Sequence, residues 1–513
     1  MGKIKSFILK NKIEIFILAA ILLIGAFVRL YKINEYMTFL GDEGRDVIIV
    51  RRLLTEFHTP LIGPGTSIGN MYLGPAYYYM MAIPLLLANF NPVGPAIFIA
   101  LLGIITIFFL WFVIREFFPS KKIHTGALIA SFLYAISPVV IIYSRSSWNP
   151  NIMPFFALAT IYFMWRTWTK QEFKSLILVG ISFACVLQSH YLGLLLLPVI
   201  LIIWFLALTK TSNKKRFFIF SVTSFILFLA IMSPLAIFDF RHNFINFNAI
   251  KAFFTNRETT VSVLPWKAIP QMPQILVQIT ADIVGAKNNF AGEIVAGIIA
   301  IAFIFVYAVK QEKYNEKKVS VILTLTLWLG FALIGLALYK QHIYDHYFGF
   351  VFTVPFIILG GIIEFLKKLS WKPVRLLGFL LILVIIFIDF QNSPLKSAPN
   401  RQLERAQVVS KKVEEISGGQ RFNFALVADS NYDSGYRYFL DLDHTKVIDI
   451  DLGNTKGTIT DQLIVVCERE KIKCDPTHNA KTEISHWGWS KVVAEYDNVF
   501  GVTIYKLGHV KQK

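Results

Sequence analysis

The sequence predicts an all-α polytopic membrane protein of about eleven transmembrane helices, followed by a small α/β domain. Hydrophobic residues make up 55% of the 513-residue chain, above the apolar share of ordinary soluble domains. Apolar runs of roughly 20 residues, the length that crosses the hydrocarbon core as a helix, recur as far as residue 391. After Phe390 the pattern changes to a charged helical stretch and short β-type runs. The expected organisation is therefore a membrane domain over 1–391, with a first outer loop at 32–94, and a separate domain over 392–513.

The candidate spans are 13–31, 95–114, 124–143, 151–168, 175–190, 192–209, 217–238, 292–309, 319–339, 347–366 and 374–391. Basic residues set their direction. The linkers at 115–122, 166–174, 210–216, 310–318 and 367–375 each hold three or four Lys or Arg, whereas the intervening short linkers hold almost none. The positive-inside rule places the basic set, and the start with Lys3, Lys5, Lys10 and Lys12, in the cytoplasm. Both placements hold together only if the further apolar run 72–90 does not cross. Its tyrosines (Tyr72, Tyr77, Tyr78, Tyr79) and prolines (Pro75, Pro84) suit a segment at the membrane interface, as an aromatic belt. The expected localisation is thus a multi-pass cell-membrane protein with a cytoplasmic N-terminus and an extracytoplasmic C-terminal domain. Val47, Val50, Leu54 and Phe57 form one helical stripe, which predicts a second surface-lying helix in the first outer loop.

Beyond the last span, the sequence predicts a helix over 400–416 and strands at 422–428, 463–467, 491–496 and 499–505. The formal charge of +18 resides in short clusters between apolar runs, not in a basic stripe, so nucleic acid is not an expected partner. Three cysteines exclude a disulfide framework or a Cys-rich metal site, and Cys467 and Cys474 are either paired or two thiols. The Met-Gly start fits a myristoylation pattern, but one acyl chain adds little to a polytopic protein. The basic start and long first span read as an uncleaved signal anchor.

Chemistry is expected at Gly41-Asp42-Glu43-Gly44-Arg45-Asp46, three carboxylates and an arginine beside the first span. Charge is costly near hydrocarbon, so such density needs either full solvation or a function. A first span, then an outer loop that opens on an Asp-Glu pair and contains two surface helices, resembles the GT-C glycosyltransferases. The nearest branch is that of the protein O-mannosyltransferases and aminoarabinose transferases, over about residues 10–390. The resemblance implies a polyprenyl-phosphate-linked sugar as donor and Asp42 as the base that activates an acceptor, with Glu43 beside it. The acceptor class stays open among lipid, glycan and protein hydroxyls.

Transfer from a lipid phosphate needs a base for the acceptor hydroxyl but no general acid, because the leaving phosphate is stable as an anion. The phosphate instead needs cationic and hydrogen-bonding groups. The outer-face candidates are Arg145 and, in the late outer loops where the resemblance implies phosphate-binding basic and tyrosine residues, Arg241, Lys340, His346 and Tyr347. Plainer readings stand beside these: Asp42 as a helix cap, Asp46 as an ion-pair partner of Arg45 or Arg51, Arg29 and Lys32 as snorkelling side chains, and His346 and Tyr347 as interfacial aromatics at the start of a span. No metal is expected, since Asp42 and Glu43 alone are a poor cage for a hard cation and the second outer loop has no carboxylate. The alternative function is a lipid-linked sugar flippase or transporter. Such proteins place ionisable residues near mid-membrane, whereas Glu14, Asp239, Glu293, Glu364 and Asp389 all sit toward span ends.

Overall fold

The computed structural model describes residues 11–66, 71–120, 123–256, 260–262, 264–308 and 316–510. Lys3, Lys5, Lys10, Lys121, Lys122, Lys310 and Lys313, and the Met-Gly start, lie outside the described residues. The helices are α1 Lys12–Leu30, α2 Gly41–Thr55, α3 Ala76–Leu87, α4 Val93–Phe117, α5 Thr125–Ile136, α6 Met153–Lys170, α7 Ser175–Ser189, α8 Leu197–Lys210 and α9 Lys214–Arg241. They continue as α10 Ile245–Thr255, α11 Met272–Ile283, α12 Asn289–Ala308, α13 Glu316–Leu338, α14 Val354–Leu366, α15 Lys372–Gln391, α16 Gln402–Ser417 and α17 Ser434–Leu442. Each of the eleven expected spans coincides with one of these helices, in some cases preceded or followed by a short helical turn. Among the described residues, seven helices are long and apolar enough to cross a membrane, and α3, α5, α7 and α14 are shorter apolar helices. The protein is a polytopic membrane protein.

Two compact units divide the chain. The first comprises Met1–Tyr31, Thr59–Pro84 and Pro95–Ala398; the second comprises Lys32–His58, Leu85–Gly94 and Pro399–Lys513. In the first, buried ionisable groups tie helix ends together. Glu14 accepts from the Trp111 indole (3.1 Å) and the His124 amide (3.4 Å), and Glu364 accepts from the Gly126 amide (2.8 Å). The two carboxylates thereby satisfy orphan donors at the start of α5. Arg29, expected to snorkel, is instead fully buried and donates to the Ala135 carbonyl at 2.9 Å. The chain breaks at Ser137-Pro138, which leaves carbonyls at the end of α5 in need of a donor.

The tyrosine run also differs from its expected role. Tyr77 and Tyr78 are 1% exposed, so they are core residues and not a belt. Tyr77 shares a 2.6 Å hydrogen bond with Ser147. Gln188 accepts the Ala76 amide at 2.9 Å and fixes the start of α3.

The second unit is a four-stranded sheet in the order β1-β2-β4-β3, built from Asn423–Val427 (β1), Gln462–Cys467 (β2), Ser490–Val499 (β3) and Val502–His509 (β4). β1 and β2 run parallel, while the β2–β4 and β3–β4 pairs are antiparallel. β1 and β2 are buried along their whole length, which explains their unbroken apolar runs. Cys467 and Cys474 form a disulfide, with Cα atoms 6.2 Å apart.

The same unit contains α2, which packs on α17. Gly41 and Gly44 make this possible. A Cβ on Gly44 would lie 2.3 Å from the Gly435 nitrogen, and one on Gly41 would lie 2.4 Å from the Tyr432 Cβ. Gly44→Ala should therefore destabilise the second unit by about 1–3 kcal/mol through overpacking. Gly330→Ala, within helix α13 and with nothing within 4 Å of the added Cβ, should be neutral or stabilising by up to about 1 kcal/mol. Thermal unfolding of the two purified variants in detergent checks the contrast.

Candidate active site

The acidic turn is assembled from within α2. Leu40 is the N-cap, and its backbone N–H donates to Glu43 Oε2 at 3.0 Å. The capping carboxylate is thus Glu43, three residues into the helix, and not Asp42. Asn431 supplies the next acceptor, taking the Gly41 amide at 2.9 Å. Its own Nδ2 donates to Glu468 at 2.8 Å, and the Tyr436 hydroxyl donates to the same carboxylate oxygen at 2.5 Å. The helix start is therefore fixed by a side-chain chain that leads back to the residue following Cys467.

Arg45 divides the two aspartates. Its Nε and Nη2 bind Asp46 Oδ1 at 3.0 and 2.7 Å, and its Nη1 binds Asp42 Oδ1 at 2.9 Å. Asp46 is 3% exposed at its side chain, whereas Asp42 is 41% exposed. Glu43 is buried, and burial pushes its carboxyl up to about 7, the Leu40 amide opposing the rise and Asp42 and Asp46 adding to it. Of three neighbouring acids, one caps, one is locked under the arginine, and one faces outward.

The remaining sequence candidates lie in the first unit. Arg145 is buried, and its Nη2 donates to the Tyr31 carbonyl at 2.9 Å, at the C-terminal end of α1. Arg241 is exposed at the end of α9. Its neighbour His242 lines a cavity of about 920 Å³, together with Tyr339, His342, Tyr344, Tyr347 and one face of α10. Lys340 is exposed, and its backbone N–H donates to the Thr260 carbonyl at 2.9 Å.

His346 and Tyr347 meet edge to face at 4.7 Å. His346 also lies 4.6 Å from Trp148, and Tyr347 lies 4.6 Å from His190. Three short segments, at 144–149, 190–191 and 339–347, thus converge in an aromatic and imidazole cluster. Sequence reasoning missed His190 and Asp282, while the expected pairing of Asp46 with Arg45 is present. Burial and the nearby Asp345 carboxylate push the Asp282 carboxyl up to about 6, and Asp345 itself pairs with Lys287 at 2.5 Å. A lone acid inside the apolar run Gln278-Ile-Thr-Ala-Asp282-Ile-Val was the available signal for Asp282.

Residues 73–238 match the family model for dolichyl-phosphate-mannose-protein mannosyltransferase. ArnT from Cupriavidus metallidurans, solved bound to undecaprenyl phosphate, matches 96% of this chain and 97% of its own, with a TM-score of 0.58 at 10% identity. The chain has the GT-C fold. The Archaeoglobus fulgidus oligosaccharyltransferase, solved with a tethered acceptor peptide containing the NVT sequon, matches 89% of this chain and 69% of its own, with a TM-score of 0.55 at 14% identity. A search of curated proteins gives no sequence match. The family match covers about a third of the chain, and the fold is one that the chain shares with ArnT and the oligosaccharyltransferase.

Within the acidic turn, the Glu43 carboxyl sets a pH dependence of stability. Its folded pKa of about 7 lies above the ordinary value of 4.5. Below pH 4.5 both folded and unfolded chains hold the proton, and the stabilisation is complete. Between 4.5 and about 7 only the unfolded chain ionises, so stability falls with rising pH by about 3 kcal/mol in all. Glu43→Gln keeps an oxygen for the Leu40 amide and should flatten this slope in thermal unfolding measured from pH 4.5 to 8.

Proposed function

We propose that the protein is a membrane glycosyltransferase that moves a sugar from a polyprenyl-phosphate donor to an acceptor hydroxyl on the extracytoplasmic face, with Asp42 as the base. The observation that carries this reading is the outward-facing Asp42 carboxylate, whose only partner among the described residues is Arg45. Support comes from the family match over 73–238 and from the shared GT-C fold. ArnT, one protein with that fold, was solved with undecaprenyl phosphate, a lipid phosphate of the class that a spent donor would leave.

The reaction fits the available groups. Asp42 takes the acceptor proton as the oxygen attacks the anomeric carbon, and the lipid phosphate departs as an anion. Cations and hydrogen-bond donors that stabilise that anion are proposed at Arg145, Arg241, Lys340, His346 and Tyr347. Glu43 positions the turn, with its Oε2 committed to the Leu40 amide. Transfer is proposed to be metal-independent: Arg45 holds one oxygen each of Asp42 and Asp46, which leaves a poor oxygen set for a cation that wants six or more.

The second unit supports the outer-face reading. It contains both Asp42 and the Cys467–Cys474 disulfide, and disulfides persist in oxidising compartments. Together with the positive-inside bias of the linkers, this supports an extracytoplasmic active site.

Purified protein in detergent should transfer labelled sugar from a polyprenyl-phosphate donor without any sealed compartment, which a flippase could not do. Asp42→Asn should lower kcat by about 100-fold or more while leaving the unfolding midpoint unchanged. Full activity in that variant would remove Asp42 as the base. Activity should also persist in a strong chelator, and dependence on an added divalent ion would overturn the metal-independent reading.

A further inference from the structure

Helix α10 presents two unlike faces. Phe247 and Ile250 are 61% and 40% exposed, and Phe254, one turn on, is 48% exposed. Spacings of three and four residues put them on one stripe. Asn248, Ala252 and Asn256 repeat on the opposite face and line the 920 Å³ cavity with Phe253. A helix whose polar and small residues face a cavity and whose aromatic residues face outward is amphipathic in reverse of a soluble surface helix.

The outward stripe continues an apolar surface. α9, which leads into α10, is a candidate membrane span with only 6% of its most apolar stretch buried, and Phe240 and Phe244 at the junction are exposed. Asn243 and Phe244 take left-handed backbone (φ 52° and 57°) and redirect the chain between the two helices. The Asp239 carboxylate then accepts the Asn246 amide at 2.7 Å and the Phe247 amide at 3.2 Å, and Asn246 accepts the Tyr72 amide at 2.6 Å. These bonds fix the start of α10. Lys251 is exposed beside the stripe, where an ammonium group can reach a lipid phosphate.

We propose that α10 lies in the membrane interface at the Arg241 end of α9, with Phe247 and Ile250 in the acyl boundary, and forms the wall that separates the cavity from lipid. Its partner is the bilayer itself. The placement goes beyond the catalytic reading and does not depend on Asp42.

Site-directed spin labelling of the full chain in phosphatidylglycerol-containing nanodiscs tests it. Cys185 is buried and the other two cysteines are bonded, so Phe247→Cys, Ile250→Cys, Asn248→Cys and Ala252→Cys each give one reactive thiol. Phe225→Cys on α9 and Leu452→Cys in the second unit, both exposed, serve as lipid and water references. Labels at 247 and 250 should resemble position 225, with collision with oxygen exceeding collision with a nickel chelate several-fold relative to labels at 248 and 252. Labels at 247 and 250 that behave like position 452, or no contrast between the two faces, would overturn the proposal. Ile250→Cys keeps the test decisive if Phe247→Cys does not fold.

Discussion

The candidate site depends on one close approach of backbone to backbone. The first turn of α2 lies against the Tyr432–Gly435 segment so tightly that neither Gly41 nor Gly44 has room for a Cβ. That contact determines which way each carboxylate of the turn points. Glu43 is driven inward, where burial raises its carboxyl and the Leu40 amide gives it a partner. Asp46 falls on the buried side beneath Arg45, and Asp42 is left on the outward side. Similar residues thus acquire different chemistry from position alone, the usual route by which one fold separates acid and base roles.

The first unit shows a parallel economy of charge. Several of its ionisable side chains serve helix ends: the buried Glu14 and Glu364 accept amides at the start of α5, the buried Arg29 donates to a carbonyl at its end, and the half-buried Asp239 accepts amides at the start of α10. Helix ends leave four amides or four carbonyls without partners, and inside a membrane water cannot supply them. The large cavity, by contrast, is lined mainly by tyrosine, histidine, asparagine and small residues. These groups can hydrogen-bond a hydroxylated ligand without the desolvation cost of a fixed charge.

Much of this was legible in the sequence, for identifiable reasons. Span positions follow from hydropathy, which needs no knowledge of neighbours, and each strand run in 422–505 was visible as a β-type segment, apolar in β1 and β2 and mixed in β3. The acidic turn stood out through density of charge. Partners distant in sequence were not legible. The pairing of Gly41 with Asn431 and the burial of Arg29 against Ala135 are tertiary facts, and nothing local distinguishes Arg29 from a snorkelling residue. Tyr77 and Tyr78 read as interfacial because tyrosine is common there, yet Ser147 and Gln188 draw that segment into the core. The glycines of Gly41-Asp42-Glu43-Gly44 carried a usable signal: small residues three apart mark a helix face that touches backbone.

The discontinuous second unit has a bearing on biogenesis. The hydrogen bond from the Gly41 amide to Asn431 joins residues 390 positions apart, so the acidic turn is synthesised long before the segment that shapes it. At 5–20 residues per second the delay is about 20 to 80 s. Throughout that interval the nascent chain already carries Asp42 but lacks the segment against which the turn packs. A truncated translation product would carry the acidic turn without the partners that orient its carboxylates.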